Sequence, residues 1–143
     1  MLASVVNPNN FLHLLEWSKL NLWKKAECEN FVDICKDFYY EKTLDRIHKY
    51  LKNFDDSENI INGFKIPHIL DLIKLINFDE LANGIPVKFH GDFILDNILF
   101  DGNDFTLLDW RQDFQGSLIA GDIYYDLSKL YACLNFYSTF QRF

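Results

Sequence analysis

The stretch Val87–Trp110 constrains the fold of this chain more than any other. Two short apolar runs, Ile98-Leu99-Phe100 and Phe105-Thr106-Leu107-Leu108, flank Asp101-Gly102-Asn103-Asp104. Consecutive turn formers between apolar runs predict a β-hairpin folded at Gly102. Such a hairpin brings Asn97, just before its first strand, to the same open end as Asp109, just after its second. His90-Gly91-Asp92 lies on the loop ahead of it, with four residues between Asp92 and Asn97. Turn chemistry accounts for Asp101 to Asp104. It does not account for Asp92, Asn97 and Asp109 together.

A chemistry that uses all three is in-line phosphoryl transfer. It needs a carboxylate to orient the acceptor hydroxyl and take its proton. It also needs oxygen ligands that hold magnesium against nucleotide phosphates. The order His-x-Asp-x-x-x-x-Asn, then a hairpin, then Asp-Trp, resembles the catalytic segment of the aminoglycoside phosphotransferase and choline kinase family, within the protein-kinase-like superfamily. By that resemblance Asp92 matches the catalytic base, and Asn97 and Asp109 match the Mg2+ ligands. His90 and Gly91 match residues that support the loop, and ATP or another nucleoside triphosphate is the co-substrate.

Farther on, Gly121-Asp122-Ile-Tyr-Tyr-Asp126-Leu-Ser-Lys-Leu130 resembles the family's Gly-Asp-Pro…Tyr-Asp-Leu-Ala segment, without its Pro. Asp122 is expected to cap the helix that follows. Asp126 matches a carboxylate that braces the catalytic loop through its backbone. The residue after Asp-Trp is usually Glu in the family; here it is Arg111, which leaves the acceptor class open. From the sequence, Arg111 either pairs with Asp113, the ordinary exposed ion pair, or approaches a phosphate.

The resemblance covers residues 25–143 and implies an α+β, mostly α-helical fold. This is the C-terminal lobe of a protein-kinase-like enzyme, with a catalytic loop and a β-hairpin and with the N-terminal β lobe absent. Residues 1–24 are expected to form a helical segment or linker, and the lobe to be cut short at its C-terminus. The family's Gly-rich loop, strand lysine and paired helical glutamate have no counterpart before Val87. Two readings follow. One is a phosphotransferase lobe acting on a hydroxyl of a small acceptor, such as an amino alcohol, a sugar or an aminoglycoside. An N-terminal lobe on another chain or segment would complete it. The other is a non-catalytic remnant kept as a binding or interaction module.

Composition narrows the classes. Nearly half of the 143 residues are apolar and fourteen are Phe, which argues for a packed core rather than disorder. A formal net charge of −7 argues against nucleic acid or an anionic membrane as the main partner, since both want a basic surface. Three scattered Cys fit reduced thiols in a cytoplasmic compartment. No apolar run is long enough to span a bilayer.

In chain order, Asn7-Pro8-Asn9-Asn10 predicts a turn and Phe11–Trp23 an amphipathic helix. Cys28–Asn53 reads as one long buried helix, with Cys28 and Cys35 sharing a face. Asp55–Asn59 and Gly63 read as loop. A helix after Pro67 carries Ile69, Leu70, Leu72, Ile73 and Ile76 and is expected to be largely buried. Ile85–Phe89 reads as a short extended segment, and Ile123–Tyr137 as an aromatic final helix with further apolar residues at Phe140 and Phe143.

Overall fold

The computed structural model describes residues 7–54 and 60–140, with side chains through Asn135. Asp55–Asn59 and Phe143 lie outside the described residues, as does the side chain of Phe140. Helix α1 (Pro8–Asn21) comes first. Helix α2 (Phe31–Lys36) continues through a π-helical turn (Asp37–Glu41) into α3 (Lys42–Asn53). Strands β1 (Ile60–Ile61) and β2 (Phe64–Lys65) precede the short helices α4 (Ile69–Ile73) and α5 (Phe78–Leu81). Strand β3 (Pro86–Val87) leads to a 3₁₀ turn (Leu95–Asn97) and then to β4 (Ile98–Phe100) and β5 (Phe105–Leu107). Strand β6 (Gly121–Asp122) runs into α6 (Ile123–Phe140). The result is a mixed α and β structure, about half helical, with small two-stranded antiparallel sheets.

The chain divides into two compact units. One comprises residues 1–31 with 84–143, the other residues 32–83. In the first, α1 starts earlier than the apolar spacing predicts. The Asn7 side chain accepts the Asn9 N–H at 2.9 Å and Pro8 occupies the first turn, so the turn formers become a helix cap. Leu14, Ser18 and Leu22, four residues apart, form its buried face. Leu14 and Leu22 share a core with Phe93, Leu95, Ile98, Phe105 and Leu130. The helix therefore packs against the hairpin.

The hairpin pairs Ile98 with Leu107 and Phe100 with Phe105. Its turn is organised by Asp101, whose carboxylate accepts the N–H groups of Asn103 and Asp104, each at 2.8 Å. Those N–H groups, Asp104 foremost, hold the exposed Asp101 carboxyl below the usual Asp range. Strand β3 pairs with β6, Pro86 opposite Asp122 and Val87 opposite Gly121. On its other side, Lys88 N–H donates to the Lys24 carbonyl at 2.8 Å and Ala26 N–H to the Pro86 carbonyl at 3.1 Å.

The residues leading into the second unit, and that unit itself, depart further from expectation. Asn30 has φ +55°, a left-handed backbone that stops a helix from extending upstream, so α2 begins at Phe31. Cys28 therefore shares no helical face with Cys35, and all three cysteines are free thiols. Helix α3 buries Ile47, while Tyr50 and Phe54 stack on each other in the open. The segment read as loop at Gly63 is a hairpin: Asn62 and Gly63 take φ +52° and +82°, which closes a two-residue turn between β1 and β2. After Pro67 the helix is only one short piece. Of its expected apolar stripe Ile73 is buried, while Leu70, Leu72 and Ile76 are exposed. A helix this short cannot turn five apolar side chains to one side.

Candidate active site

Three devices fix the segment from His90 to Asp109. The first is Asp126 on α6, completely buried. Its Oδ2 accepts the His90 N–H at 2.8 Å and its Oδ1 the Gly91 N–H at 2.7 Å. The Trp23 indole N–H donates to Oδ2 at 3.1 Å. Gly91 sits at φ +84°, and a Cβ there would lie 2.4 Å from Arg111 Cβ, so neither the backbone nor the space admits a side chain.

The second device is His90, also fully buried. Its Nδ1 accepts the Asp92 N–H at 3.2 Å, which leaves Nε2 as the donor to the Leu108 carbonyl at 2.7 Å. The loop is thereby tied to the end of the hairpin. The third device is the hairpin itself: Leu108 N–H donates to the Asn97 carbonyl at 2.9 Å, and Arg111 N–H to the His90 carbonyl at 2.9 Å.

Asp92 and Asn97 meet side by side. Asn97 Nδ2 donates to the Asp92 carbonyl at 3.0 Å and approaches Asp92 Oδ2 at 3.3 Å. With its NH2 so engaged, the amide turns its carbonyl oxygen toward other partners. Asp109 lies between Leu108 and Arg111, both bonded into this loop, and holds φ +55°. A non-glycine residue in that region stores strain, although Asp tolerates it better than most. Asp122 Oδ1 accepts N–H groups from Tyr124, at the start of α6, and from Ile85, ahead of β3.

Two participants were not singled out in the sequence. Lys129 Nζ lies 2.9 Å from Asp92 Oδ1, with both side chains partly exposed. Asp126 and Lys129, three residues apart, share a face of α6, but nothing local signals that Lys129 reaches Asp92. The second is Trp23, whose indole N–H reaches Asp126 from 103 residues away in the chain. Arg111 donates its Nε–H to the Asp113 carbonyl at 2.7 Å, whereas the Asp113 carboxylate accepts the Gly116 N–H.

Among the described residues no three His, Cys, Asp or Glu side chains gather as a metal-holding group. Asn97 and Asp109 offer one amide oxygen and one carboxylate, a donor set that suits magnesium when phosphates and water supply the rest. No described helix is long and apolar enough to cross a membrane.

Burial pushes the Asp126 carboxyl above the usual Asp range, and the N–H groups of His90, Gly91 and Trp23 pull it back only in part. Between the unfolded and folded values the native chain holds a proton that the unfolded chain has lost. Stability from this group is full below the unfolded value and is lost as pH rises through the folded one. The urea-midpoint advantage of the wild-type chain over Asp126→Asn should therefore shrink as pH rises out of the ordinary Asp range and through the raised folded one. A widening gap would mean that the N–H donors outweigh burial.

Comparison with protein-family models, with characterised proteins and with solved structures finds no match for the chain.

Proposed function

We propose that residues His90 to Asp109 form the catalytic loop and metal-binding hairpin of a small-molecule phosphotransferase resembling the aminoglycoside phosphotransferase and choline kinase family. The observation that carries this reading is the contact of Asp92 with Asn97 on a loop braced from beneath by Asp126. Asp92 orients the acceptor hydroxyl and takes its proton as the phosphoryl group transfers. Asn97 and Asp109 hold Mg2+, and His90 keeps the loop and the hairpin end in register. When bound, magnesium supplies charge neutralisation at the nucleotide phosphates. The strained backbone of Asp109 supports a dedicated role for its carboxylate, because strain of this kind persists where surrounding contacts over-determine it. The reading includes a partner segment that supplies the Gly-rich loop and the lysine over the nucleotide.

The test is thermal stabilisation by millimolar ATP with and without Mg2+. A ligand at about fivefold excess over its Kd stabilises by about 1 kcal/mol, or about 3–5 °C for a chain of this size. A magnesium-dependent rise is expected. No rise in either condition would reject an autonomous enzyme, and no rise with the partner segment present would reject the reading itself. A rise indifferent to magnesium would favour a binding module without catalysis.

A further inference from the structure

Helix α6 grips the His90 loop at His90, Gly91 and Asp92 in succession. Asp126 takes the backbone N–H groups of His90 and Gly91, and Lys129, on the same helix face, reaches the side chain of Asp92. The Asp92 carboxylate is thereby held from both ends. Its Oδ2 faces Asn97 Nδ2 at 3.3 Å and its Oδ1 takes the Lys129 ammonium at 2.9 Å. Lys129 is itself guided: its Nζ lies 5.7 Å from the centroid of the Tyr125 ring, and that ring packs 6.0 Å from the fully buried Phe114 ring.

The neighbouring charges are otherwise engaged. Asp126 is buried among its N–H donors, and Arg111, whose guanidinium carbon is 6.0 Å from the Tyr125 ring centroid, is anchored at the Asp113 carbonyl. Asp109 adds a second exposed carboxylate at the hairpin end, which Mg2+ offsets on the proposed reading. Asp92 has no such partner, because a base must stay clear of the metal to take a proton. Lys129 is the cation that meets it. The anionic terminal phosphate of the nucleotide has to approach an acceptor oxygen held at Asp92, and a carboxylate without that ammonium would repel it. As a stability device the pair is slight, since the two side chains are 37% and 42% exposed.

We infer that Lys129 is a positioning residue for phosphoryl transfer: its ammonium holds Asp92 by Oδ1 and offsets the charge of the base, so that the terminal phosphate can come up to it. The inference rests on Asp92 being the acceptor base. The test is titration with magnesium-ATP and magnesium-ADP, followed by thermal shift, in the full chain with the segment that completes the nucleotide lobe. Lys129→Met keeps the stem and removes the charge. It should leave the unliganded melting temperature nearly unchanged and weaken ATP by about 5- to 20-fold. ADP, which lacks the terminal phosphate, should change by less than about twofold, and Lys129→Arg should keep most of the ATP affinity. Adding Asp92→Asn to Lys129→Met removes the charge that the lysine offsets, and should restore ATP to within about threefold of the wild-type chain. Equal loss of ATP and ADP, no loss of either, or no restoration in the double variant would overturn the inference. In those cases the wild-type response to magnesium-ATP persists and the phosphotransferase reading stands without it. A wild-type chain that does not respond to ATP in the completed lobe would remove both.

Discussion

Asp126→Ala should destabilise the chain by about 3–5 kcal/mol, lowering its melting temperature by roughly 10–20 °C. The carboxylate is fully buried and accepts three hydrogen bonds, from the N–H groups of His90 and Gly91 and from the Trp23 indole. Removing it strands the buried N–H groups of His90 and Gly91, at about 1–3 kcal/mol each, and frees the partly buried Trp23 indole. The sum is less than additive, because the loop keeps its ties from His90 to Leu108 and from Arg111 to His90. Asp126→Asn retains one acceptor oxygen but turns an NH2 toward a donor, so it should lose roughly half as much. Urea unfolding of the three chains at neutral pH measures the series. A loss below about 1 kcal/mol for the alanine variant would show that the loop holds its shape from the hairpin side alone. If Asp92 is the proposed base, the functional consequence is separate: a displacement of about 1 Å in its carboxylate would cost on the order of a hundredfold in rate even where the fold survives.

The parts of this architecture that the sequence made legible are those specified by local chemistry. Asp101 to Asp104 announced a turn because Asp and Asn side chains satisfy turn backbone themselves, and the Asp101 carboxylate does so twice. The position of Asn97 against Leu108 followed from strand period once the turn was placed. What escaped depends on neighbours far along the chain, or on signals too brief to dominate a window. Asn62-Gly63 carries the strongest short hairpin signal there is, yet its strands are two residues each and follow a polar break. The left-handed turn at Asn30 sits inside an apolar pattern with no Pro or Gly to mark it, so Cys28 was drawn into the helix. Burial after Pro67 was over-read because apolar spacing says which face would be covered, not whether a neighbour covers it. The left-handed backbone of Asp109 and the reach of Lys129 to Asp92 are tertiary outcomes that no local window contains.

On the proposed phosphotransferase reading, Asp92→Asn should reduce phosphoryl transfer by about 10²- to 10⁴-fold, the range attributable to a positioned general base, while leaving magnesium-dependent ATP binding close to that of the wild-type chain. The asparagine keeps the shape and still offers an oxygen to Asn97 Nδ2, so the loop has little reason to move. It can no longer take a proton from an acceptor hydroxyl. It also releases Lys129, whose ammonium now contacts Asp92 Oδ1, and a lysine freed beside the transferring phosphate would sustain nucleotide affinity rather than diminish it. Asp109→Asn is the matched control: if Asp109 holds magnesium as proposed, its loss should weaken the metal-nucleotide complex itself and raise the magnesium needed for half-maximal stabilisation. The two substitutions therefore separate proton transfer from metal holding. The measurement is single-turnover phosphoryl transfer to the acceptor, in the complete complex with whatever supplies the nucleotide lobe, alongside thermal shifts at several magnesium concentrations. If Asp92→Asn instead abolished the magnesium-dependent shift while Asp109→Asn left it intact, the two carboxylates would have to exchange roles.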